Sequence, residues 1–141
     1  MTTDSPIKLN SFTLDCLQAQ KLAAFYARLL QWEVVYTDND YAVAAPPRTA
    51  LGAYPGLTFQ SNPDYLAPVW PETADCQQQM AHLDFAVADM TLAVQTALDC
   101  GARLAPVQFS DQWTVMFDPS GHPFCLCLLP QLFNSADFAL R

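Results

Sequence analysis

Basic side chains are scarce in this chain: six Lys and Arg stand against 14 Asp and Glu, a formal net charge of −8. Nucleic acid and anionic membrane both demand clustered cations, and the few here are scattered, so neither is expected as a partner. Charge of either sign is thin at 14%, while 52% of residues are hydrophobic. A disordered chain shows the opposite balance. The acidity forms no run, Asp38 and Asp40 being its densest local group, and it reads as a solvated surface. No apolar stretch approaches a membrane span, and MTTDSPIKLNSF has neither the basic start nor the apolar core of an export signal. The five cysteines (Cys16, Cys76, Cys100, Cys125, Cys127) include no C-x-x-C pair. They read as reduced thiols, and the expected localisation is cytoplasmic.

What is present is enough for one domain over residues 1–141 with a real core. Low charge beside 12% aromatic residues points to further buried surface, as in a homodimer. Residues 11–17 alternate, with Phe12, Leu14 and Cys16 on one face and Ser11, Thr13 and Asp15 on the other, the mark of a half-buried strand. Leu22, Phe25, Tyr26, Leu29 and Leu30 then recur at helical spacing over about 18–30. Residues 32–36 and 41–45 flank a Thr37-Asp38-Asn39-Asp40 turn and form a hairpin that Pro46-Pro47 stops; a fourth strand is expected at 57–60.

A second pass begins at residues 81–88, with His82, Asp84 and Ala86 on one face and Leu83, Phe85 and Val87 on the other. Asp89 is placed to cap a helix over 90–100, and Gly101 to end it. Strands at 103–108, 113–117 and 124–129 follow, the last two joined by an Asp118-Pro119-Ser120-Gly121 turn. Strand, helix and three strands occur twice, at about 8–62 and 80–130, a repeat of about 70 residues.

Three segments carry a family resemblance: LAAFYARLLQW (22–32), AHLDFAVADM (81–90) and DPSGHPFCL (118–126). In this order and spacing they resemble the vicinal oxygen chelate superfamily, the glyoxalase/bleomycin resistance/dihydroxybiphenyl dioxygenase group. The GHPFC form, with PVWP at 68–71, is most similar to its glyoxalase-like domain subgroup. The resemblance implies an α+β fold in which two βαβββ modules form a curved mixed sheet around a cleft. In the superfamily's enzymes four side chains, His and Glu with occasional Gln, hold a divalent Lewis-acid metal, two from each module's first and last strands.

Carried onto this chain, the first-strand ligand positions are His82 and Ser11, or Thr13 if the register slips by two. The last-strand positions are Cys125 and, less directly, Gln60. Hydroxyls are poor ligands for a transition metal, so no metal cofactor is expected, with His82 as the weak metal candidate. Cys125 and Cys127 share a strand face; the sharp reading is a soft site for zinc or copper, or a thiol activated by His82, and the bland one is two small core hydrophobes. His122 reads as a structural ring at the turn. Asp15 and Asp84 point to the same face as ligand-position residues and suit acid–base work or simple hydrogen bonding. Tyr54, Phe59, Tyr65, Trp70, Trp113 and Phe117 are available as aromatic walls.

The expected function is binding of a small organic ligand with Ser11, Thr13, Asp15, Gln60, His82, Asp84, Trp113 and Cys125. The alternatives are a lyase, isomerase or dioxygenase using His82, Asp84 and Cys125 as catalytic candidates, and an interaction module with no ligand.

Overall fold

The alternation at the start of the chain builds β1 (Ser11–Cys16), and Cys16 at its end is fully buried. In the computed structural model residues 5–47 and 55–133 are described, divided into two compact units between Tyr65 and Leu66. Tyr54 and residues 134–141, including Phe138 and Leu140, lie outside the described residues.

In the first unit β1 is followed by α1 (Ala19–Leu30), β2 (Glu33–Thr37), β3 (Tyr41–Ala45) and β4 (Gly56–Ser61). The sheet order is β1-β4-β3-β2, with β1 parallel to β4 and the other pairs antiparallel. The helix turns Ala19, Leu22, Ala23, Phe25, Tyr26 and Ala27 inward. The alanines at 19, 23 and 27 let it lie close to β3, whose Ala42 and Ala44 are fully buried. Leu29 and Leu30, expected on the buried stripe, are only half-buried. Tyr26 stacks on Phe59 of β4 at 5.5 Å and meets Phe25 edge-on at 4.8 Å. The β2–β3 turn is tied by Asp38, which accepts from the backbone N–H of Asp40 and Tyr41 at 2.8 Å each and from the Tyr36 hydroxyl at 2.6 Å. The Tyr36 hydrogen bond, then the two amides, hold the Asp38 carboxyl below its ordinary range.

The second unit repeats the plan: β5 (Leu83–Val87), α2 (Met90–Cys100), β6 (Arg103–Leu104), β7 (Trp113–Phe117) and β8 (Pro123–Leu128), with a short 3-10 turn at Pro130–Leu132. Its order is β5-β8-β7-β6, with β5 parallel to β8. The fold is thus α+β, two βαβββ modules each forming a four-stranded mixed sheet. Asp89 caps α2 by accepting from the Leu92 N–H at 3.0 Å, and Gly101 ends it at φ 113°. Ala97 is the one fully buried residue of α2, and Leu92 and Leu98 stay exposed.

One strand is shorter than its sequence suggests. Residues 103–108 read as a strand, yet only Arg103 and Leu104 belong to β6. Pro106 has no N–H to give a ladder, so pairing stops there. The Gln108 side chain takes over: its amide donates to the Val115 carbonyl at 2.8 Å and accepts from the Val115 N–H at 2.8 Å. A side chain thereby completes the edge of β7.

The β7–β8 turn is built on a buried carboxylate. Asp118 is fully buried and accepts from the N–H of Ser120 (2.9 Å) and His122 (3.0 Å), and its other oxygen lies 2.8 Å from His122 Nδ1. The expected structural hydrogen bond of His122 is therefore present. Gly121 is required on two counts: φ is 90°, and a Cβ would stand 2.9 Å from that of Ala67.

Candidate functional site

The period-two rule brings three reactive side chains together on one face of the second sheet. In the parallel register Asp84 of β5 stands opposite Cys125 of β8, and Val115 of β7 flanks Cys125 on its other side. His82, one pleat before Asp84, sets its Nε2 3.1 Å from Asp84 Oδ1. The donor atoms of His82, Asp84 and Cys125 all lie within 4.8 Å of one another. His82 and Asp84 keep 38% and 59% of their side-chain surface, so the pair is open to an incoming molecule.

Beside this cluster is a concavity of about 180 Å³ lined by Trp70, Gln79, His82, Trp113, Val115, Pro123 and Cys125. Trp70 is held edge-on by Phe109 at 5.7 Å and Phe117 at 6.4 Å, and Arg103 lies over the Phe117 ring at 5.4 Å. Of the aromatic candidates Trp70 and Trp113 thus form walls, Phe117 backs one of them, and Phe59 is core of the first module. Gln79, Val115 and Pro123 were not singled out by the sequence. Val115 had a signal, since it shares a strand face with Trp113; Gln79, in a loop, had none. A larger concavity of about 370 Å³ lies against α2, lined by Leu92, Ala93, Thr96 and Phe133 among others. Its acidic group, Asp89, is already engaged as the helix cap. The smaller site, with an imidazole and a thiol in its wall, is the better candidate despite its size.

The thiol itself is quiet. Burial first, then the charge of Asp84, the neighbouring Cys127 and a hydrogen bond with Asp84, push Cys125 up to about 11; burial and Asp84 also raise Cys127. Its partner is a carboxylate rather than a cation, the reverse of what activates a nucleophile. At pH 8 its thiolate fraction is on the order of one in a thousand, so iodoacetamide should label Cys125 far more slowly than exposed Cys76, as read by peptide mass mapping. Because its folded value lies above the ordinary 9.0, its contribution to stability is complete below pH 9.0 and is lost as pH rises toward about 11.

The remaining sequence candidates sit in the first module. Each helix begins three residues after its first strand ends, Cys16 to Ala19 and Val87 to Met90, so Ser11 corresponds to His82 and Thr13 to Asp84. Thr13 pairs in register with Thr58, as Asp84 does with Cys125; Gln60 pairs with Asp15 and corresponds instead to Cys127. The last-strand position of the first module is therefore Thr58 rather than Gln60. The Ser11 and Thr58 hydroxyls are 2.6 Å apart, and Ser11 also donates to the Gly56 carbonyl at 3.1 Å. Asp15 accepts from the Asn62 amide at 3.2 Å.

A family model for the glyoxalase-like domain matches residues 11–127. The chain belongs to this family. Solved structures share the fold of this glyoxalase-like chain. A glyoxalase family protein from Enterococcus faecalis is 22% identical with a TM-score of 0.59, the match covering 85% of this chain and 96% of that one. A glyoxalase/bleomycin resistance protein/dioxygenase family enzyme from Burkholderia phytofirmans is 12% identical with a TM-score of 0.61, over 85% and 97%. An antibiotic binding protein from Streptomyces sp. is 11% identical with a TM-score of 0.56, over 89% and 98%. At these identities the likeness is one of fold. No curated protein matches the sequence.

The four-donor metal of the superfamily does not fit the glyoxalase-like chain. Two of the four equivalent positions are neutral hydroxyls, Ser11 and Thr58, hydrogen-bonded to each other, and a third is a thiol. Such a set is not the oxygen- and imidazole-rich cage that the superfamily's enzymes use. Among the described residues no helix is long and apolar enough to cross a membrane.

Proposed function

We propose that this glyoxalase-like chain binds a small planar organic molecule on the sheet face of its second module. The observation that carries this is the concavity in which the Trp70 and Trp113 rings share a wall with His82. Apolar walls with a few convergent polar groups are the usual makeup of a small-molecule site. Its volume is below the roughly 300–1,000 Å³ of drug-sized sites, which favours a single ring system or a short chain of atoms. His82, braced by Asp84, offers the directional hydrogen bond. A solved relative that is an antibiotic binding protein supports the same reading. The reading includes a homodimer of single-domain subunits, supported by the exposed Val34, Tyr36 and Tyr41 of the first hairpin.

Native mass spectrometry of protein purified without a metal-affinity tag tests it. The expected result is a dimer mass carrying an organic adduct on each subunit, with affinity for the adduct about fivefold weaker in Trp113→Ala, where stacking worth about 1 kcal/mol disappears. Adduct occupancy that is unchanged in Trp113→Ala across a dilution series, or a wild-type mass with no adduct, would overturn the proposal.

The 3.1 Å approach of His82 Nε2 to Asp84 Oδ1 favours a second reading, a lyase, isomerase or dioxygenase-type enzyme in which Asp84 orients His82 as a general base. Turnover that is unchanged by His82→Ala would remove it.

A further inference from the structure

We infer that His82, Asp84 and Cys125 form a seat for one thiophilic divalent cation, zinc above others, built wholly within the second module. This stands apart from the organic-ligand reading and departs from the superfamily's arrangement, which draws two donors from each module. The donor set is one imidazole nitrogen, one carboxylate oxygen and one sulfur, the mixed set that tetrahedral zinc accepts. Bond lengths of about 2.0–2.3 Å place the donors of such a site roughly 3.3–3.6 Å apart. Here His82 Nε2 and Asp84 Oδ1 are already 3.1 Å apart, and all three donors fall within 4.8 Å.

The backbone supports the seat. Asp84 and Cys125 are register partners on adjacent parallel strands, so their separation is fixed by the ladder rather than by a loop. Val115, the other neighbour of Cys125, is pinned by the Gln108 amide. Three protein donors leave a fourth position open, and His82 and Cys125 both line the Trp70–Trp113 concavity. On binding, the Cys125 thiol gives its proton to solvent as the sulfur–metal bond forms.

Cobalt(II) titration of the whole, chelator-treated protein tests this without any assay of activity. The expected result is one cobalt per chain, with a thiolate-to-cobalt charge-transfer band and the strong visible bands of a tetrahedral site, both displaced by one equivalent of zinc. Cys125→Ser should abolish the charge-transfer band and weaken cobalt binding by about 100-fold or more, and Asp84→Asn by about 10-fold. Cys76→Ser and Thr58→Val should leave spectrum and affinity unchanged. Absence of the thiolate band in the wild type overturns the inference, as does a band that persists in Cys125→Ser. Loss of binding in Thr58→Val also overturns it, since that would mean a site shared with the first module. If cobalt fails to bind while an organic adduct is found, the cation seat falls and the organic-ligand reading stands.

Discussion

Asp118→Ala is expected to lower the unfolding free energy by about 3–5 kcal/mol in urea denaturation, the range for stripping one partner from a buried charged network. The carboxylate is fully buried and receives two backbone amides and the His122 ring. Alanine leaves those amides without their acceptor, and each orphaned buried group costs about 1–3 kcal/mol. The turn also starts β8 and so sets where Pro123 and Cys125 fall in the site. Asp118→Asn keeps one acceptor oxygen for both amides and should recover about half of the loss. His122→Ala removes one charge-assisted bond and should cost about 1.5–3 kcal/mol. A loss below about 1 kcal/mol in Asp118→Ala would show that the turn does not depend on its carboxylate.

Tyr26→Ala should destabilise the chain by about 3–5 kcal/mol, the usual cost of emptying a buried aromatic site. Tyr26 has no exposed surface, stacks on Phe59 and meets Phe25 edge-on, so it joins α1 to the centre of the first sheet. Tyr26→Phe keeps both ring contacts and should cost about 1 kcal/mol or less. The comparison by urea denaturation separates ring packing from the hydroxyl; equal losses in both variants would place the stabilisation in the hydroxyl instead.

The fold was legible because each element carries its own local chemistry. Strands β1 and β5, the Asp89 cap and the Gly101 stop all appear in the structure where the residues imply them, although Phe12 of the apolar face of β1 is exposed. The His82–Asp84 pair was legible for the same reason, since residues two apart on a strand share a face. Features that depend on distant partners were not. Counting along the chain suggested Gln60 as a ligand position, but pairing with β1 decides the register and puts Thr58 there. The loss of strand at Pro106 was missed in the expected strand over 103–108, and its repair by the Gln108 side chain needs the neighbouring strand to be in place. Asp118 was read as part of a turn, and only the closed turn shows it buried as an acceptor.

The proposed ligand surface lies on the second module, between Trp70 and Trp113. The chain has three tryptophans, and the third, Trp32, belongs to the first module. Indole N–H signals in nitrogen-15 NMR therefore report on this surface directly when aromatic fragments are added. Bound fragments are expected to shift the Trp70 and Trp113 indoles and leave Trp32 in place. Binding that moves Trp32, with Trp70 and Trp113 unchanged, would contradict it.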